Sequence, residues 1–209
     1  MSSHLTKRAI ETSFRDLLND RPLHKITVAD ITDGCGVSRM TFYYHFEDVY
    51  DLLGWTWGDR AARAFGRLDC GAKYQGGSES GVGKSDWQTG LLKLLNTLRE
   101  DKPVVMNVYR SMGRGRIEEL VHPCAHALLL SEMGARAGGG CASCDDREFI
   151  VNFFEHAIVG TLIAWVEGGM RDDPRAIVRR IDAIMYGQAK AMASHFTLVG
   201  PVPEGTCKG

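Results

Sequence analysis

The densest run of side chains able to bind another molecule lies between Ser38 and His45, in the sequence SRMTFYYH. Arginine can donate two hydrogen bonds to guanine O6 and N7, while methionine and the threonine methyl group suit the methyl group of thymine. Hydroxyl and imidazole groups can donate to phosphates. The run therefore combines residues suited to base edges with residues suited to a phosphate backbone. The first kind are Arg39, Met40 and Thr41, and the second are Tyr43, Tyr44 and His45.

Such groups need a short helix to position them, and the flanking sequence predicts one. Ser38 is a favourable N-cap, and Gly36 offers the positive φ that a tight turn requires. Thr27 stands three residues before Asp30, which predicts a capping box at the start of a preceding short helix. We therefore expect two short helices joined by a glycine turn, the second ending at Tyr44 or His45.

A longer helix should precede this pair, from about Thr6 to Asn19. Its apolar residues recur at helical spacing, which predicts one buried face; they are Ile10, Phe14, Leu17 and Leu18. Three such helices make a helix-turn-helix motif, whose second short helix enters the DNA major groove. Phe42 and Phe46 are four residues apart, and we expect them to anchor that helix to the core.

The rest of the chain also has helical periodicity, so the predicted fold class is all-α. We expect a helix-turn-helix domain at residues 1–48 and a larger helical regulatory and dimerisation domain at residues 49–198. A glycine-rich loop at about 69–85 and a tail at 199–209 are expected to be flexible and disordered. Later helices are predicted from Val49 to Leu68, across Leu91 to Leu98, after Pro103, from Ile117 to Met133 with a kink at Pro123, from Asp146 to Glu167, and from Pro174 to Phe196.

Charge and hydropathy exclude several classes of protein. The formal net charge is −1, and residues 1–47 hold six Lys/Arg and six Asp/Glu, so no generic basic patch is present. The longest uncharged apolar run, Ala157 to Val166, has ten residues, which is too short to span a bilayer. No signal peptide is recognised. We expect a cytoplasmic protein without membrane contact.

The N-terminal segments resemble the TetR/AcrR family of transcriptional regulators. The resemblance covers Thr6 to Leu53 and is densest in ITVADI (26–31), CGVS (35–38) and TFYYHF (41–46). It implies that Thr27, Ser38, Thr41, Tyr43, Tyr44 and His45 occupy positions that contact phosphates or the groove. The resemblance also implies that Arg39 and Met40 occupy positions that set sequence preference. The chain departs from the family at Val49, where members commonly carry a phosphate-binding lysine, so another basic residue would have to replace it.

A narrower resemblance covers the C-terminal part. Phe149 to Met170, followed by Asp173 and Pro174, is similar to the C-terminal domain of regulators like the dihydroxyacetone-kinase activator DhaS, and Asp86-Trp87 fits the same group. This similarity implies a helical regulatory domain, without identifying an effector.

Two further sets of residues in this domain carry predictions. Small and apolar residues on the last two helices predict a homodimer interface; they are Ala157, Gly160, Ala164, Ile177, Ile181, Ile184 and Met185. Aromatic residues with polar groups predict a pocket for a small-molecule effector; they are Trp87, Tyr109, His126, Phe153, Phe154 and Trp165. In each case the alternative is that the residues only fill the subunit's own core.

A group of possible metal ligands leaves three alternatives open. It comprises His122, Cys124, His126, Cys141 and Cys144. These residues could form a structural metal site or a thiol redox switch, or the thiols could be inert. We expect inert thiols, no metal and no cofactor.

The segment GVGKS (81–85) lacks two features of a phosphate-binding loop: a glycine five residues before Gly83, where Ser78 stands, and a preceding strand. Without a catalytic signature, we expect no enzyme.

These observations together predict a transcriptional regulator that binds a palindromic operator in double-stranded DNA as a homodimer. The favoured form is a ligand-responsive repressor. The alternatives are an activator controlled by a protein or metabolite partner, and a helical protein-interaction module that does not bind DNA.

Overall fold

The computed structural model describes residues 3–65, 87–136 and 144–185 of the 209-residue chain, and the regular structure within these ranges is helical. The predicted all-α fold class is confirmed. The helices are α1 (Ser3–Asp20), α2 (Val28–Cys35), α3 (Arg39–His45), α4 (Val49–Phe65), α5 (Trp87–Glu100), α6 (Lys102–Met112), α7 (Arg114–Arg136), α8 (Cys144–Glu167) and α9 (residues 174–185). A 3-10 turn, Leu23–Lys25, lies between α1 and α2. The glycine-rich loop, Gly138 to Cys141, the end of the last helix and the tail lie outside the described residues.

The start of α2 has the hydrogen bonds that its sequence predicts. The Thr27 hydroxyl accepts from the Asp30 backbone N–H, and the Asp30 carboxylate accepts from the Thr27 backbone N–H at 2.9 Å. This is the predicted capping box, and it supplies partners for two backbone donors that a helix start leaves unpaired. At the other end, Gly36 has φ +67° and terminates α2 in the left-handed region.

The end of α8 is also determined by local sequence. Gly169 has φ +74°, Met170 N donates to Trp165 O at 2.8 Å, and Gly169 N donates to Val166 O at 2.9 Å. These two bonds make a Schellman motif, which satisfies carbonyls that the last helical turn leaves free. Asp173 then accepts from Arg175 N, so α9 begins with Pro174 at its first position, as predicted.

The first three helices enclose a small hydrophobic core. Ile10 and Phe14 of α1, Ile31 of α2 and Phe42 of α3 are fully buried. The Ser13 hydroxyl donates to Ile31 O at 2.8 Å and fixes α1 against α2. Burying a side chain of this size stabilises the fold by roughly 1.5–3 kcal/mol, so these contacts hold the helix-turn-helix rigid.

Helix α6 connects this N-terminal core with the rest of the protein. The Asn107 side-chain amide donates to Leu18 O at 2.6 Å and to Arg21 O at 2.8 Å. Its carbonyl oxygen accepts from Leu23 N at 3.1 Å. A single side chain on α6 therefore satisfies three backbone groups at the end of α1 and in the turn that follows it.

Pro123 lies inside α7, which continues as a helix on both sides of it. The bend expected there stays a prediction.

By length and composition, one segment of the described helices would suffice to cross a membrane: Glu148–Glu167 in α8, with a mean hydropathy of 1.6 and 44% of the segment buried within the protein. Glu155, in the middle of this segment, is 4% exposed and hydrogen-bonds to two histidines of α7. These contacts are those of a core helix.

Candidate nucleic-acid interface

The recognition helix α3 is held by a cap at its start and by an aromatic anchor on its inner face. The Ser38 hydroxyl accepts from Thr41 N at 3.0 Å, which is the predicted N-cap. Phe42 is fully buried, and its ring lies 5.7 Å from that of Phe46, which in turn contacts Trp55 of α4. The prediction that Phe42 and Phe46 anchor the helix is confirmed. The opposite face of α3 is left free.

That free face carries the residues predicted to contact DNA. Met40 is 79% exposed, Tyr43 57% and Tyr44 82%, although these are large side chains that would gain by burial. Ser38 and Arg39 are also exposed, whereas Thr41 and His45 are half-buried. The structure therefore leaves five of the eight predicted residues exposed at α3 and its cap, and Thr27, also exposed, caps the start of α2.

Hydroxyl protons decide which of these residues can donate to a phosphate. Thr27 donates both its hydroxyl, at 2.6 Å, and its backbone N–H to Asp30, so its donors are already in use. Ser38 and Thr41 place their hydroxyl oxygens 2.8 Å apart. One of the two donates to the other, which leaves one proton free to point outward. Thr27 is thus primarily a helix cap in the free protein.

The surroundings of His45 favour its neutral form. Partial burial, and secondly the positive charge of Lys7, lowers the pKa of His45 below its ordinary 6.5. Lys7 itself lies over the rings of Phe46 and Trp55, at 5.5 Å and 5.6 Å from their centroids. A neutral imidazole still has one N–H to donate to a phosphate.

The family's usual lysine at the start of the fourth helix is absent, and Val49 takes its place, half-buried. Lys25 is exposed two residues before Thr27, at the end of the 3-10 turn. Lys25 is therefore a candidate for the phosphate contact that a lysine at position 49 would make.

A cavity of about 170 Å³ lies in the C-terminal part, between α4, α5, α6, α7 and α8. Tyr109 and Trp165 line it as expected, but Trp87, His126, Phe153 and Phe154 do not. Trp87 and Phe154 are buried in hydrophobic clusters, because their stripes face neighbouring helices, and Phe153 is 61% exposed. His126 hydrogen-bonds to Glu155. Two of the six residues predicted to line a pocket therefore lie at this cavity, and its role as an effector site stays a prediction.

Arg60 is the polar residue of this cavity that the sequence analysis missed. The hydroxyl of Tyr109 donates to Glu167, and the indole N–H of Trp165 donates to Asp172 O at 3.0 Å. Arg60 of α4 pairs through Nη2 with Asp101 at 2.8 Å, while its buried Nη1 has no hydrogen-bond partner among the described residues. Its side chain is 10% exposed. Four charged residues lie in α4, so the sequence by itself did not single out Arg60.

The residues predicted to form a dimer interface separate into two groups. Ala157, Ala164 and Ile184 are exposed and Gly160 is half-exposed. Ile177 and Ile181 are 5% and 7% exposed, packed with Trp165 and Met170 in the subunit's own core, and Met185 lies at its edge. The stripe on α9 therefore serves the subunit itself for the most part, whereas that on α8 is left exposed or half-exposed in the described part of the chain.

The fold and this site define a helix-turn-helix DNA-binding regulator, and comparison with known proteins gives its family. Residues 15–54 match the family model described as bacterial regulatory proteins, tetR family. Residues 85–187 match a model described as a transcriptional regulator C-terminal region of the TetR class. The chain thus carries the N-terminal and C-terminal domains of the TetR family of transcriptional regulators.

Among curated proteins, the chain is similar to the dhaKLM operon transcriptional activator DhaS of Lactococcus lactis, with 28% identity over 107 residues, covering 51% of this chain and 50% of the relative. It is also similar to the transcriptional regulator EthR of Mycobacterium tuberculosis, with 44% identity over 45 residues, 22% of this chain and 21% of the relative. The matched segments span half or less of these relatives.

Solved structures agree on the fold. A structure of the dihydroxyacetone kinase operon activator DhaS aligns with a TM-score of 0.64 and 21% identity, over 89% of this chain and 97% of that one. A tetR-family regulator from Streptomyces coelicolor aligns with a TM-score of 0.54 and 15% identity, over 96% and 92% of the two chains. The chain is a DNA-binding transcriptional regulator with the TetR-like fold.

Proposed function

We propose that this cytoplasmic regulator is a ligand-responsive repressor that binds a near-palindromic operator as a homodimer and acts without catalysis. The observation that carries the proposal is the position of α6. This helix contributes Val105 and Tyr109 to the cavity and, through Asn107, holds the end of α1. A ligand that moves α6 therefore moves the helix-turn-helix, which is the physical connection that allosteric control requires.

A second set of contacts also joins the cavity to α1. Asp101, just before α6, binds Arg60 at the cavity at 2.8 Å and Arg15 of α1 at 3.1 Å. A ligand group that competes for Arg60 weakens its hold on Asp101 and so reaches α1. Both connections begin at the cavity wall and end in the DNA-binding domain.

The cavity lining indicates the class of ligand. It is apolar except for a few residues, of which Arg60 has a nitrogen without a partner among the described residues. A buried donor without an acceptor is costly, by about 1–3 kcal/mol. The preferred ligand is therefore a mainly apolar small molecule with one hydrogen-bond acceptor, such as a carboxylate or a ketone.

Dimerisation is proposed through the exposed face of α8. Phe149 and Phe153 are 70% and 61% exposed, and Ala157, Gly160 and Ala164 continue the same face at spacings of three and four. A side chain added at Gly160 would meet no atom within 4 Å, so the subunit itself does not require glycine there. Small residues beside exposed aromatics suit close packing of two helices.

Selection from a random DNA pool tests the DNA-binding part of the proposal. A dimer should select a palindrome whose half-site centres lie roughly 34–36 Å apart, or a multiple of that.

Thermal-shift measurements with matched pairs of compounds, an apolar carboxylic acid and its hydrocarbon analogue, test the class of ligand. The acid should raise the melting temperature and release the selected DNA, and Arg60→Met should remove the preference while Arg99→Met, at an exposed site, should not. If none of the tested compounds releases the DNA, the repressor proposal is contradicted.

The name of one relative favours a second candidate. DhaS is described as a transcriptional activator, so this chain is alternatively an activator controlled by a protein or metabolite partner. A reporter gene placed behind the selected operator distinguishes the two, because a repressor lowers its expression and an activator raises it.

A further inference from the structure

A cluster of histidines and a buried carboxylate joins α7 to α8, away from the DNA-binding face. Glu155 of α8 has a side chain that is 6% exposed. Its Oε1 lies 2.5 Å from Nδ1 of His122 and its Oε2 lies 2.7 Å from Nδ1 of His126, both on α7. His156 follows Glu155 on α8, and its ring lies 4.6 Å from that of His122. Two helices thus bring four ligand-type side chains together.

Within residues 3–65, 87–136 and 144–185, no lysine or arginine forms an ion pair with this buried carboxylate. The ion pairs recorded for Glu155 among the described residues are with His122 and His126, which carry charge only when protonated. A buried carboxylate without a full positive charge nearby is costly, and a bound metal ion is one of the arrangements that removes the cost. Imidazole nitrogens with a carboxylate oxygen form a ligand set typical of zinc and other first-row transition metals.

We propose that His122, Glu155 and His156 bind a divalent transition-metal ion of the zinc class. Each of the three offers a ligand atom, and these atoms lie within 4.8 Å of one another. The ion takes the place of the proton shared between His122 and Glu155. Because His156 is exposed, a fourth position is open to water, so the site has three protein ligands and one exchangeable ligand.

Neighbouring groups prepare the ligands for this role. Nδ1 of His156 lies 2.8 Å from Asn152 O, a contact in which the nitrogen must carry the proton. The other ring nitrogen is then unprotonated and free to bind a metal, which is the usual effect of an outer hydrogen bond on a metal-bound histidine. His126 occupies the second oxygen of Glu155 and has Glu148 3.6 Å from its own Nε2. His126 is therefore an outer partner.

This inference does not depend on the proposed repressor function, since it concerns metal binding alone. It also differs from the cysteine-containing site considered from the sequence, because its ligands are three groups without sulfur. Metal occupancy would fasten α7 to α8, the two helices that supply much of the cavity wall.

The test is calorimetric titration of the full-length, metal-free protein with Zn²⁺. We expect one ion per protomer and a rise in melting temperature, because an ion that binds only the folded state stabilises it. His156→Ala is the principal variant, since the side chain is exposed and its removal should leave the fold intact. It should lower the affinity by more than the roughly 10- to 100-fold expected for the outer partner variant His126→Asn. His122→Ala and Glu155→Gln should act like His156→Ala.

His24→Ala, at an exposed site in the N-terminal domain, is the matched control and should bind Zn²⁺ as the unaltered protein does. A variant with Cys141 and Cys144 both changed to Ser should also bind normally, and the Co²⁺-loaded protein should show no thiolate charge-transfer absorption. The proposal is overturned if the unaltered protein does not bind Zn²⁺, if His156→Ala binds it with undiminished affinity, or if the double serine variant loses binding.

Discussion

At the scale of single residues, we expect base reading and backbone contact to belong to different ends of α3. Arg39 and Met40 are at the first turn of α3, whereas Tyr43 and Tyr44 lie further along the helix. In helix-turn-helix proteins it is the N-terminal part of the recognition helix that contacts base edges. The hydroxyl groups of these two tyrosines make no hydrogen bond recorded among the described residues, so both are free to donate outward. Substitutions at the two ends of the helix should therefore affect binding differently.

Arg39→Ala should cost about 1–3 kcal/mol at one base pair of each half-site and relax sequence preference there. Tyr43→Phe removes one hydroxyl and should weaken binding to all sequences alike. Fluorescence anisotropy against the selected operator and its single-base variants measures both effects. Equal losses across all bases for Arg39→Ala would contradict its role as a base reader.

Lys25→Ala tests the replacement for the missing lysine at position 49. If Lys25 contacts a phosphate, its loss should weaken binding evenly across sequences and reduce the slope of log affinity against log salt by about 1. Lys93→Ala, at an exposed site on α5, should leave the slope unchanged. A slope that is the same for Lys25→Ala and the unaltered protein would exclude this residue.

DNA affinity should rise as pH falls through the range below neutrality if His45 contacts a phosphate. In the free protein the pKa of His45 is below 6.5 because of burial and the charge of Lys7. A phosphate favours the imidazolium, so the pKa is higher in the complex and a proton is taken up on binding. Anisotropy at constant ionic strength measures this. His45→Gln should flatten the dependence and His24→Gln should not.

At the scale of helices, caps and close contacts decide how firmly α3 is presented. Hydrogen bonds from Thr27, and the charge of Arg21 to a smaller extent, lower the pKa of Asp30 below 3.8. Thr27→Ala should destabilise the protein by about 1 kcal/mol at neutral pH. Because the folded pKa of Asp30 is the lower one, the capping contribution is complete above 3.8 and is lost as pH falls through the folded value. Urea unfolding at neutral and acidic pH should show the difference between the two proteins shrinking on acidification.

Gly90 determines how closely α5 approaches α4. A Cβ atom there would lie 2.2 Å from Cδ1 and 2.7 Å from Cε1 of the Phe65 ring. Displacing the ring should cost about 1–3 kcal/mol, which exceeds the gain of up to about 1 kcal/mol in helix propensity. Gly90→Ala should therefore lower the melting temperature. Gly115→Ala, where a Cβ would meet nothing within 4 Å, is the control and should not.

At the scale of the whole molecule, the proposed dimer explains why apolar side chains of α8 face outward. Ala164→Glu would place a charge on this face without touching the subunit's core and should therefore shift the protein from dimer to monomer and weaken operator binding. Light scattering at micromolar concentration measures the first effect. Asn96→Glu, at an exposed site on α5, should change neither. A monomeric unaltered protein would remove the basis of the dimer proposal.

The sequence by itself determined the features that depend on residues close together in the chain. The capping box at Thr27, the left-handed turn at Gly36, the cap at Ser38 and the Schellman end at Gly169 each join atoms at most five residues apart. Their geometry follows from local hydrogen bonding, so the helix-turn-helix and its exposed residues were predictable.

The tertiary structure decided what depends on residues far apart. An apolar or aromatic stripe shows that one face of a helix is buried but not against what. Hence Trp87 and Phe154 proved to be core residues, Ile177 and Ile181 pack within the subunit, and Arg60 lines the cavity. The histidine cluster joins His122 to Glu155 across 33 positions of the chain. Only the packing of α7 on α8 brings these side chains together, because helical periodicity carries no information about which helix is the partner.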